Sequence, residues 1–221
     1  MTTALDKPGL GEGVYTFGEA ARILRGTNKH VTVKQLHYWL NTGLVPAYRE
    51  QDGEPVLNFD DLISLELVRR LQVEGASLQG IRRVEKGLRE AHPALSRPFA
   101  YEVFFTDGAN VWAEVNGEDG RIVIELLGKH RHQYAWRDAI ATFARDIHFD
   151  GPDAHAARWS LSPWVEVNPR LQFGSPVVTG SRVPVRTIEA NLEVGTPKQV
   201  AEWYGLRLEQ VEGVRDYLAI R

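Results

Sequence analysis

The sequence lacks cysteine, and this absence excludes several kinds of chemistry. Without a thiol, the chain has no disulfide bond, no thiolate metal ligand and no cysteine nucleophile. It also lacks any apolar run of the roughly 20 residues that a membrane-spanning helix needs. Its first residues, MTTALDKPGLGEG, contain no basic segment followed by an apolar one, as a secretory signal would. These absences predict a soluble cytoplasmic protein.

The chain has 221 residues, 43% of them hydrophobic, which is enough for one large domain or two to three small ones. A net charge of −3 argues against a protein whose whole surface is basic and binds nucleic acid, but the charge is unevenly distributed along the chain. Residues 15–49 carry five basic and one acidic residue, a net charge of +4. Residues 99–150 carry five basic and nine acidic residues, a net charge of −4. A basic head on an acidic body indicates an anionic partner for the head alone.

Two short helices are predicted in the basic head. Thr16 and Glu19 have the spacing of a capping box, and Thr32 is the expected N-cap of a second helix that ends at Gly43. The apolar positions of this second helix leave its other face polar, with Lys34, Gln35, His37 and Tyr38 directed outward. Two short helices of this kind describe a helix-turn-helix.

The elements that follow extend this pattern. A hairpin is predicted around QDGE, and Asn58 and Ser77 are expected to cap two further helices. The order of a helix, a second helix ending in YWLNTGLVP, a hairpin, an FDDL helix and a GASLQGIRR helix resembles the MerR-type winged helix-turn-helix. In that family the second helix enters the major groove of DNA and the hairpin wing contacts the backbone beside it. The resemblance therefore implies a DNA-binding set that consists of Thr16, Lys34, Gln35, His37, Tyr38 and Arg49.

The chemistry of these side chains agrees with DNA binding. Lys34 and Arg49 can neutralise phosphates, and Gln35 and His37 can pair with base edges. The alternative is a helical protein-binding module with a basic face. MerR regulators normally continue into a long coiled-coil helix that forms the dimer, but here the prolines of HPALSRPFAYEVFF interrupt any long helix after Ala91. We therefore expect a dimer that forms by another route.

The middle of the chain is predicted to be rich in strands. Strands are expected within residues 101–115 and 120–134, an amphipathic helix or mixed segment at 135–149, and a linker at 150–164. Four histidines there are candidate metal ligands: His130, His132, His148 and His155. No carboxylate–histidine pair with metal-site spacing completes such a set, and no nucleophile elbow, phosphate loop or paired-carboxylate site is visible. We expect no catalytic residue, no metal ion and no cofactor.

Three short helices are predicted at the end of the chain, with Thr196 and Pro197 starting the second and Gly205 ending it. Their expected core is Val200, Trp203, Tyr204, Val211, Val214 and Leu218. The NPR turn, GSPVVTGSRVPV and LEVGTPKQVAEWYGL resemble a small domain family of unknown function that recurs in bacterial antitoxins. Residues 15–219 as a whole resemble antitoxins of VapBC-type modules. That resemblance implies a PIN-domain ribonuclease toxin as partner and binding to the operator of the chain's own operon.

Arg182 stands between a turn glycine and a proline, and two roles fit it. In the structural role, which we favour, Arg182 braces the turn by binding backbone carbonyls or Glu189. In the functional role, Arg182 or Arg186 reaches the acidic metal-binding cluster that the resemblance implies for a PIN nuclease.

The sequence thus predicts an α+β protein in four parts: a flexible tail (1–13), a winged helix-turn-helix (14–96), a β-rich middle region with a linker (97–165), and a helical antitoxin-type domain (166–221). We expect a homodimeric, non-enzymatic antitoxin and autorepressor. The alternative is a stand-alone MerR-like transcriptional regulator with a ligand-sensing middle domain.

Overall fold

The computed structural model describes residues 11–25, 30–44, 55–91, 93–95, 97–101, 133–151 and 154–220. The helices in these ranges are α1 (Phe17–Ile23), α2 (Val33–Asn41), α3 (Phe59–Val73), α4 (Leu78–Ala91), α5 (Gln133–Asp146), α6 (Val185–Leu192), α7 (Pro197–Tyr204) and α8 (Leu208–Ala219). The strands are β1 (Ile147–Asp150), β2 (His155–Ser162), β3 (Val165–Val167) and β4 (Val177–Val178). The predicted α+β class is confirmed.

The helices of the head begin where the capping residues predict. The Thr16 hydroxyl accepts a hydrogen bond from the Glu19 amide at 3.2 Å, and the Thr16 amide donates to the Glu19 carboxylate at 2.9 Å. Thr32 and Gln35 repeat this arrangement at the start of α2, and Asn58 caps α3. These caps satisfy backbone amides that the first helical turn leaves unpaired, so each helix starts at a defined residue. The predicted pair α1 and α2 is confirmed.

Helix α3 is the central element of the head, because side chains all around it are buried. Helices α4 and α5 and the short turn Pro98–Ala100 pack against it. The same hydrophobic core takes in Ile140 and Phe143 of α5 and Trp159 of β2. The head and the middle of the chain therefore share one core.

The strands form a single antiparallel sheet in the order β1-β2-β3-β4. Trp159 of β2 lies opposite Ile147 of β1 on one side and Val167 of β3 on the other. The expected linker at 150–164 is therefore wrong, because most of it is the strand β2. The proline, aspartate and alanine content of this segment is typical of a linker and gave no sign of a strand. In the structure, Ala156 and Trp159 of this segment are buried in the shared core.

The three helices predicted at the end of the chain are confirmed as α6, α7 and α8. Thr196 caps α7, Pro197 is its first residue, and Gly205 ends it with a left-handed backbone at φ +63°. These helices and the sheet bury a second core: Val165, Val178, Val185, Ile188, Val200, Ala201, Val211, Val214 and Tyr217. Trp203 is not part of it. Its ring is half exposed and lies across Gly195, so this prediction is wrong.

Strand β3 contributes to both cores, with Val167 in the first and Val165 in the second. The predicted boundaries of the four parts remain predictions. The predicted strands within residues 102–132, the tip of the hairpin wing at 45–54, Arg49, His130 and His132 lie outside the described residues. Among the helices that are described, none is long and apolar enough to cross a membrane.

Candidate DNA-binding and partner-binding surfaces

Helix α2 presents a polar face on the outside of the head. It buries Leu36 and Trp39, while Lys34, His37 and Tyr38 are exposed, with 54% of Tyr38 accessible to solvent. Positions three and four apart share one face of a helix, so the cation, the imidazole and the phenol stand together. This face offers the groups that contact phosphates and base edges in a DNA groove.

Of the other three predicted DNA-binding residues, two take part in helix caps and one is outside the described residues. The Gln35 side-chain oxygen accepts hydrogen bonds from the Thr32 amide at 2.9 Å and the Thr32 hydroxyl at 3.0 Å. Its amide nitrogen has no hydrogen-bond partner among the described residues, so this nitrogen is the group available to a base. The Thr16 hydroxyl bonds Glu19 in the first capping box. Arg49 is outside the described residues.

The first turn of α3 carries two carboxylates that fasten the head to the rest of the protein. Arg97 Nε donates to Asp61 Oδ1 at 2.6 Å, and Asp61 is only 1% exposed. Burial raises the pKa of Asp61 to about 6, although the Arg97 guanidinium opposes this shift. Asp60 Oδ1 lies 2.8 Å from His155 Nε2 of β2. The hydrogen bond with Asp60 raises the pKa of His155 above its ordinary value, and partial burial opposes that rise.

The other end of α3 is fastened too. Arg70 bonds Asp146 at 3.1 Å, and its guanidinium lies 4.5 Å from the centre of the Phe143 ring. Sequence reasoning missed these contacts, because the paired residues are 36 to 95 positions apart along the chain. The placement of the head on the sheet is therefore fixed at both ends of α3.

A cavity of about 850 Å³ lies between the head, the middle and the final helices. Arg25 of the head, Trp159 and Trp164 of the sheet region, and Tyr217 of α8 are among its lining residues. The walls thus combine aromatic and charged side chains from all three parts of the protein.

The segment at 168–185 forms two turns, and the first is joined to the head. Gln172, Phe173 and Gly174 have φ values of +48°, +56° and +86°. The Val14 amide donates to the Phe173 carbonyl at 3.2 Å, and a Cβ on Gly174 would overlap the Tyr15 hydroxyl. The Phe173 side chain is 77% exposed. Nothing in the hydrophobic pattern distinguished Phe173 from a core residue, so sequence reasoning missed it.

The second turn is held by Ser181 and by the backbone. The Ser181 hydroxyl donates to the Val178 carbonyl at 2.9 Å and accepts from the Val183 amide at 3.1 Å. The Arg182 side chain is exposed and has no hydrogen bond or ion pair with any described residue. The predicted bracing of the turn by this side chain is therefore wrong for the described residues. Ser181 holds this turn instead, because its short side chain reaches both backbone groups.

The two turns are linked to each other. Gln172 Nε2 donates to the Arg182 carbonyl at 3.1 Å, which holds the backbone of Arg182 beside the first turn. Arg186, in the first turn of α6, is also exposed and unpaired within the described part of the chain. Arg182 and Arg186 thus keep the free guanidinium groups that a carboxylate partner would need.

The histidines that the structure describes are placed apart. His148 is exposed on β1, whereas His155 pairs with Asp60. In the described ranges, no three histidine, aspartate or glutamate side chains come close enough together to hold a metal ion.

Comparison with known proteins identifies both ends of the chain. Residues 15–88 match the model of the MerR HTH family of regulatory proteins. Residues 165–218 match a family described as "Protein of unknown function (DUF433)". These matches confirm the MerR-like head and the antitoxin-associated C-terminal domain that the sequence predicts.

Several mycobacterial proteins are similar to this chain. "Uncharacterized HTH-type transcriptional regulator Rv1830" of Mycobacterium tuberculosis is 33% identical over 101 residues, which are 44% of this chain and 42% of that protein. "Putative antitoxin VapB45" of the same species is 28% identical over 165 residues, 66% of this chain and 69% of the relative. The chain thus spans about two fifths of the length of Rv1830.

A solved structure shares the fold over nearly the whole chain. The crystal structure of Rv2018 from Mycobacterium tuberculosis superposes with a TM-score of 0.74 at 25% identity and covers 96% of this chain and 99% of its own. One matching family consists of helix-turn-helix regulators and the other is of unknown function, and the relatives are named as helix-turn-helix regulators and as the "Putative antitoxin VapB45". The chain is therefore related to DNA-binding regulators and antitoxins.

Proposed function

We propose that this chain is the antitoxin of a type II toxin–antitoxin module. It binds and neutralises a PIN-domain ribonuclease toxin, and it represses its own operon by binding the operator. The observation that carries this proposal is that one chain contains both a MerR-type head and a DUF433 domain. The similarity to VapB45 over about two thirds of both chains supports the proposal. The protein acts by binding rather than as an enzyme, and it does so in the cytoplasm, where its DNA lies.

The head reads DNA through the exposed face of α2. Lys34 neutralises a phosphate, and His37, Tyr38 and the free amide nitrogen of Gln35 reach groove edges. Thr16 and Arg49 complete the set that the family resemblance implies. A head of this size covers a short stretch of DNA, so we propose a homodimer that binds a pseudo-palindromic operator.

The C-terminal domain holds the toxin. Arg182 and Arg186 are exposed, and their guanidinium groups have no partner among the described residues. A guanidinium binds a carboxylate through two parallel hydrogen bonds, which suits the acidic metal-binding cluster of a PIN nuclease. Occupation of that cluster by arginine would block the divalent metal and silence the enzyme.

The test is to purify the tagged protein from its native host and identify what remains bound by mass spectrometry. We expect a stoichiometric PIN-type nuclease, and we expect the complex to bind the DNA upstream of its own gene in a mobility-shift assay. Purification without a nuclease, combined with no binding to that DNA, would overturn the proposal.

A second function is favoured by the cavity of about 850 Å³ between the head and the final helices. In this case the chain is a stand-alone MerR-like regulator, and a small molecule in the cavity alters the position of the head. The two functions differ in an observable way. A stand-alone regulator would purify without a nuclease and would change its DNA affinity when host metabolite extract is added.

A further inference from the structure

The two turns at 168–185 lie in a segment whose only charged residues are basic. Residues 167–188 contain three arginines and no acidic residue, although the chain as a whole has a net charge of −3. Arg170, Arg182 and Arg186 are all exposed. Exposed guanidinium groups of this kind are complementary to carboxylates or phosphates.

The first turn displays an aromatic ring under backbone strain. Gln172 and Phe173 are not glycine, yet both have a left-handed φ. Residues other than glycine and asparagine rarely adopt that conformation, and it persists only where the surroundings impose it. Tyr15, packed against Gly174, and the bond from Val14 to the Phe173 carbonyl impose it here. The result is a rigid turn whose phenyl ring is 77% exposed to water.

Hydrogen bonds to the backbone join an exposed apolar residue and an exposed cationic residue to this turn. Val14 is 45% exposed, and its amide donates to the Phe173 carbonyl, so the head contributes a second exposed apolar residue that is joined to this turn through the backbone. Gln172 holds the backbone of Arg182 at the same turn. We call Val14, Phe173 and Arg182 the Phe173 surface.

We propose that the Phe173 surface is a docking site for a protein partner with an apolar pocket rimmed by carboxylates. Phe173 fills the pocket, Val14 covers its edge, and Arg182 pairs with the rim. A rigid exposed aromatic next to arginine is the composition of a binding hot spot between proteins. Double-stranded DNA would satisfy the arginines but would gain nothing from the burial of Val14, so a protein fits the surface better.

The occupant that follows from the proposed function is the PIN-domain toxin, and the inference rests on that function in this respect. It adds Phe173 and Val14 to the two arginines, and it places the toxin on the seam between the head and the C-terminal domain. A toxin docked there would contact both parts of the antitoxin.

The test is to measure the affinity of the full-length protein for the purified PIN-domain toxin by calorimetry, with Phe173→Asn as the principal variant. Asparagine tolerates the left-handed backbone better than phenylalanine, so the variant keeps the fold and its thermal midpoint stays equal or rises. We expect toxin binding at least about 30-fold weaker. Arg182→Ala should weaken it by about tenfold.

Matched controls come from the same domain. Val194 is equally exposed, at 79%, and Lys198 is an exposed cation, so Val194→Ala and Lys198→Ala should leave toxin affinity within about twofold of wild type. Unchanged toxin affinity in Phe173→Asn would overturn the inference while leaving the proposed function intact. Failure of the wild type to bind the toxin would overturn the function itself. Loss of DNA affinity or of self-association in Phe173→Asn, with toxin binding unchanged, would reassign the surface to DNA or to a second copy of the chain.

Discussion

His155 Nε2 lies 2.8 Å from Asp60 Oδ1, and this contact joins the first residue of β2 to the first turn of α3. Glu12 and Arg170 also influence this histidine, and the ring of Tyr101 lies 4.8 Å from its ring. The head and the sheet therefore meet at one imidazole, and charges of the N-terminal segment and of the segment before the first turn act on it. Its charge state affects how firmly the head is attached.

Stability should fall as pH rises through the neutral range, because His155 binds its proton more tightly in the folded protein than in the unfolded chain. This contribution is complete below about pH 6.5, the ordinary pKa of histidine, and is lost as the pH rises through the raised pKa of the folded state. His155 is partly exposed, so we expect a loss of only about 0.5 kcal/mol. Urea denaturation at about pH 6 and pH 8.5 measures it.

The variant Asp60→Asn should remove most of this pH dependence, since it takes away the charge and the hydrogen bond that raise the pKa of His155. His148→Gln is the control, because His148 is exposed on the neighbouring strand. An unchanged pH dependence in Asp60→Asn would contradict the assignment. Asp61, whose pKa is raised to about 6, also destabilises the fold as it ionises. Its contribution is lost as the pH rises from about 4 through about 6, so the part of this loss above pH 6 should remain in Asp60→Asn.

The buried pair of Asp61 and Arg97 gives a second prediction. Asp61→Ala leaves the Arg97 guanidinium buried without its carboxylate and removes part of the α3 capping box. We expect the free energy of unfolding to fall by about 3–5 kcal/mol. The double variant Asp61→Leu with Arg97→Met removes both charges of this buried pair and should be less destabilised than Asp61→Ala. The reverse order, measured by urea denaturation, would contradict this account.

The contact between Tyr15 and the first turn gives a third prediction. Gly174→Ala places a methyl group on the Tyr15 hydroxyl at a position whose φ is +86°, so both overlap and backbone strain result. We expect a loss of about 3 kcal/mol or more. Gly180→Ala is the matched control: its φ is +76°, but a Cβ there meets nothing within 4 Å, so only strain of about 1–2 kcal/mol applies. Equal losses would show that Tyr15 does not hold the turn.

The hydroxyl of Tyr15 itself gives a fourth prediction. It is buried and has no hydrogen-bond partner among the described residues. Tyr15→Phe removes an unpaired polar atom and keeps the ring, so we expect a stability within about 1 kcal/mol of wild type, or higher. A loss well beyond that value in thermal denaturation would mean that the hydroxyl has a partner outside the described residues.

The proposed DNA-binding face of α2 gives a fifth prediction. Lys34→Ala should weaken binding to the DNA upstream of the chain's own gene. It should also reduce the slope of log binding constant against log salt concentration by about 1, the value for one phosphate contact. Lys198→Ala, an exposed cation of the C-terminal domain, should change neither quantity. A salt dependence identical to wild type in Lys34→Ala would remove Lys34 from the interface.

The same assay separates the capping role of Gln35 from its proposed contact with DNA. Glutamate also closes a capping box, so Gln35→Glu keeps the start of α2 but replaces the free amide nitrogen with a carboxylate oxygen, whose negative charge also repels phosphates. We expect unchanged thermal stability and clearly weaker DNA binding. Weakened stability with unchanged DNA affinity would mean that Gln35 only caps the helix.

Local signals in the sequence predicted the local structure. Thr16, Thr32 and Thr196 each start a helix where their spacing to a glutamate or glutamine indicates, because a capping box involves only four neighbouring residues. The exposed face of α2 followed from helical periodicity in the same way. Strand β2 could not be predicted from its own residues, because its pairing depends on β1 and β3 rather than on its own composition.

The sequence by itself thus determined the helix starts, the α+β class, and the resemblance of its two ends to a MerR-type head and an antitoxin-associated domain. Only the tertiary structure decided how these parts are joined. The pairs Asp61 with Arg97 and Asp60 with His155, and the packing of Tyr15 against Gly174, connect residues 36 to 159 positions apart. Such contacts leave no periodic trace along the chain, since each depends on where the backbone returns. For the same reason, only the structure revealed that Ser181 holds the second turn, so that the Arg182 side chain is not needed there. Only the structure showed, too, that Arg182 and Phe173 are exposed to solvent.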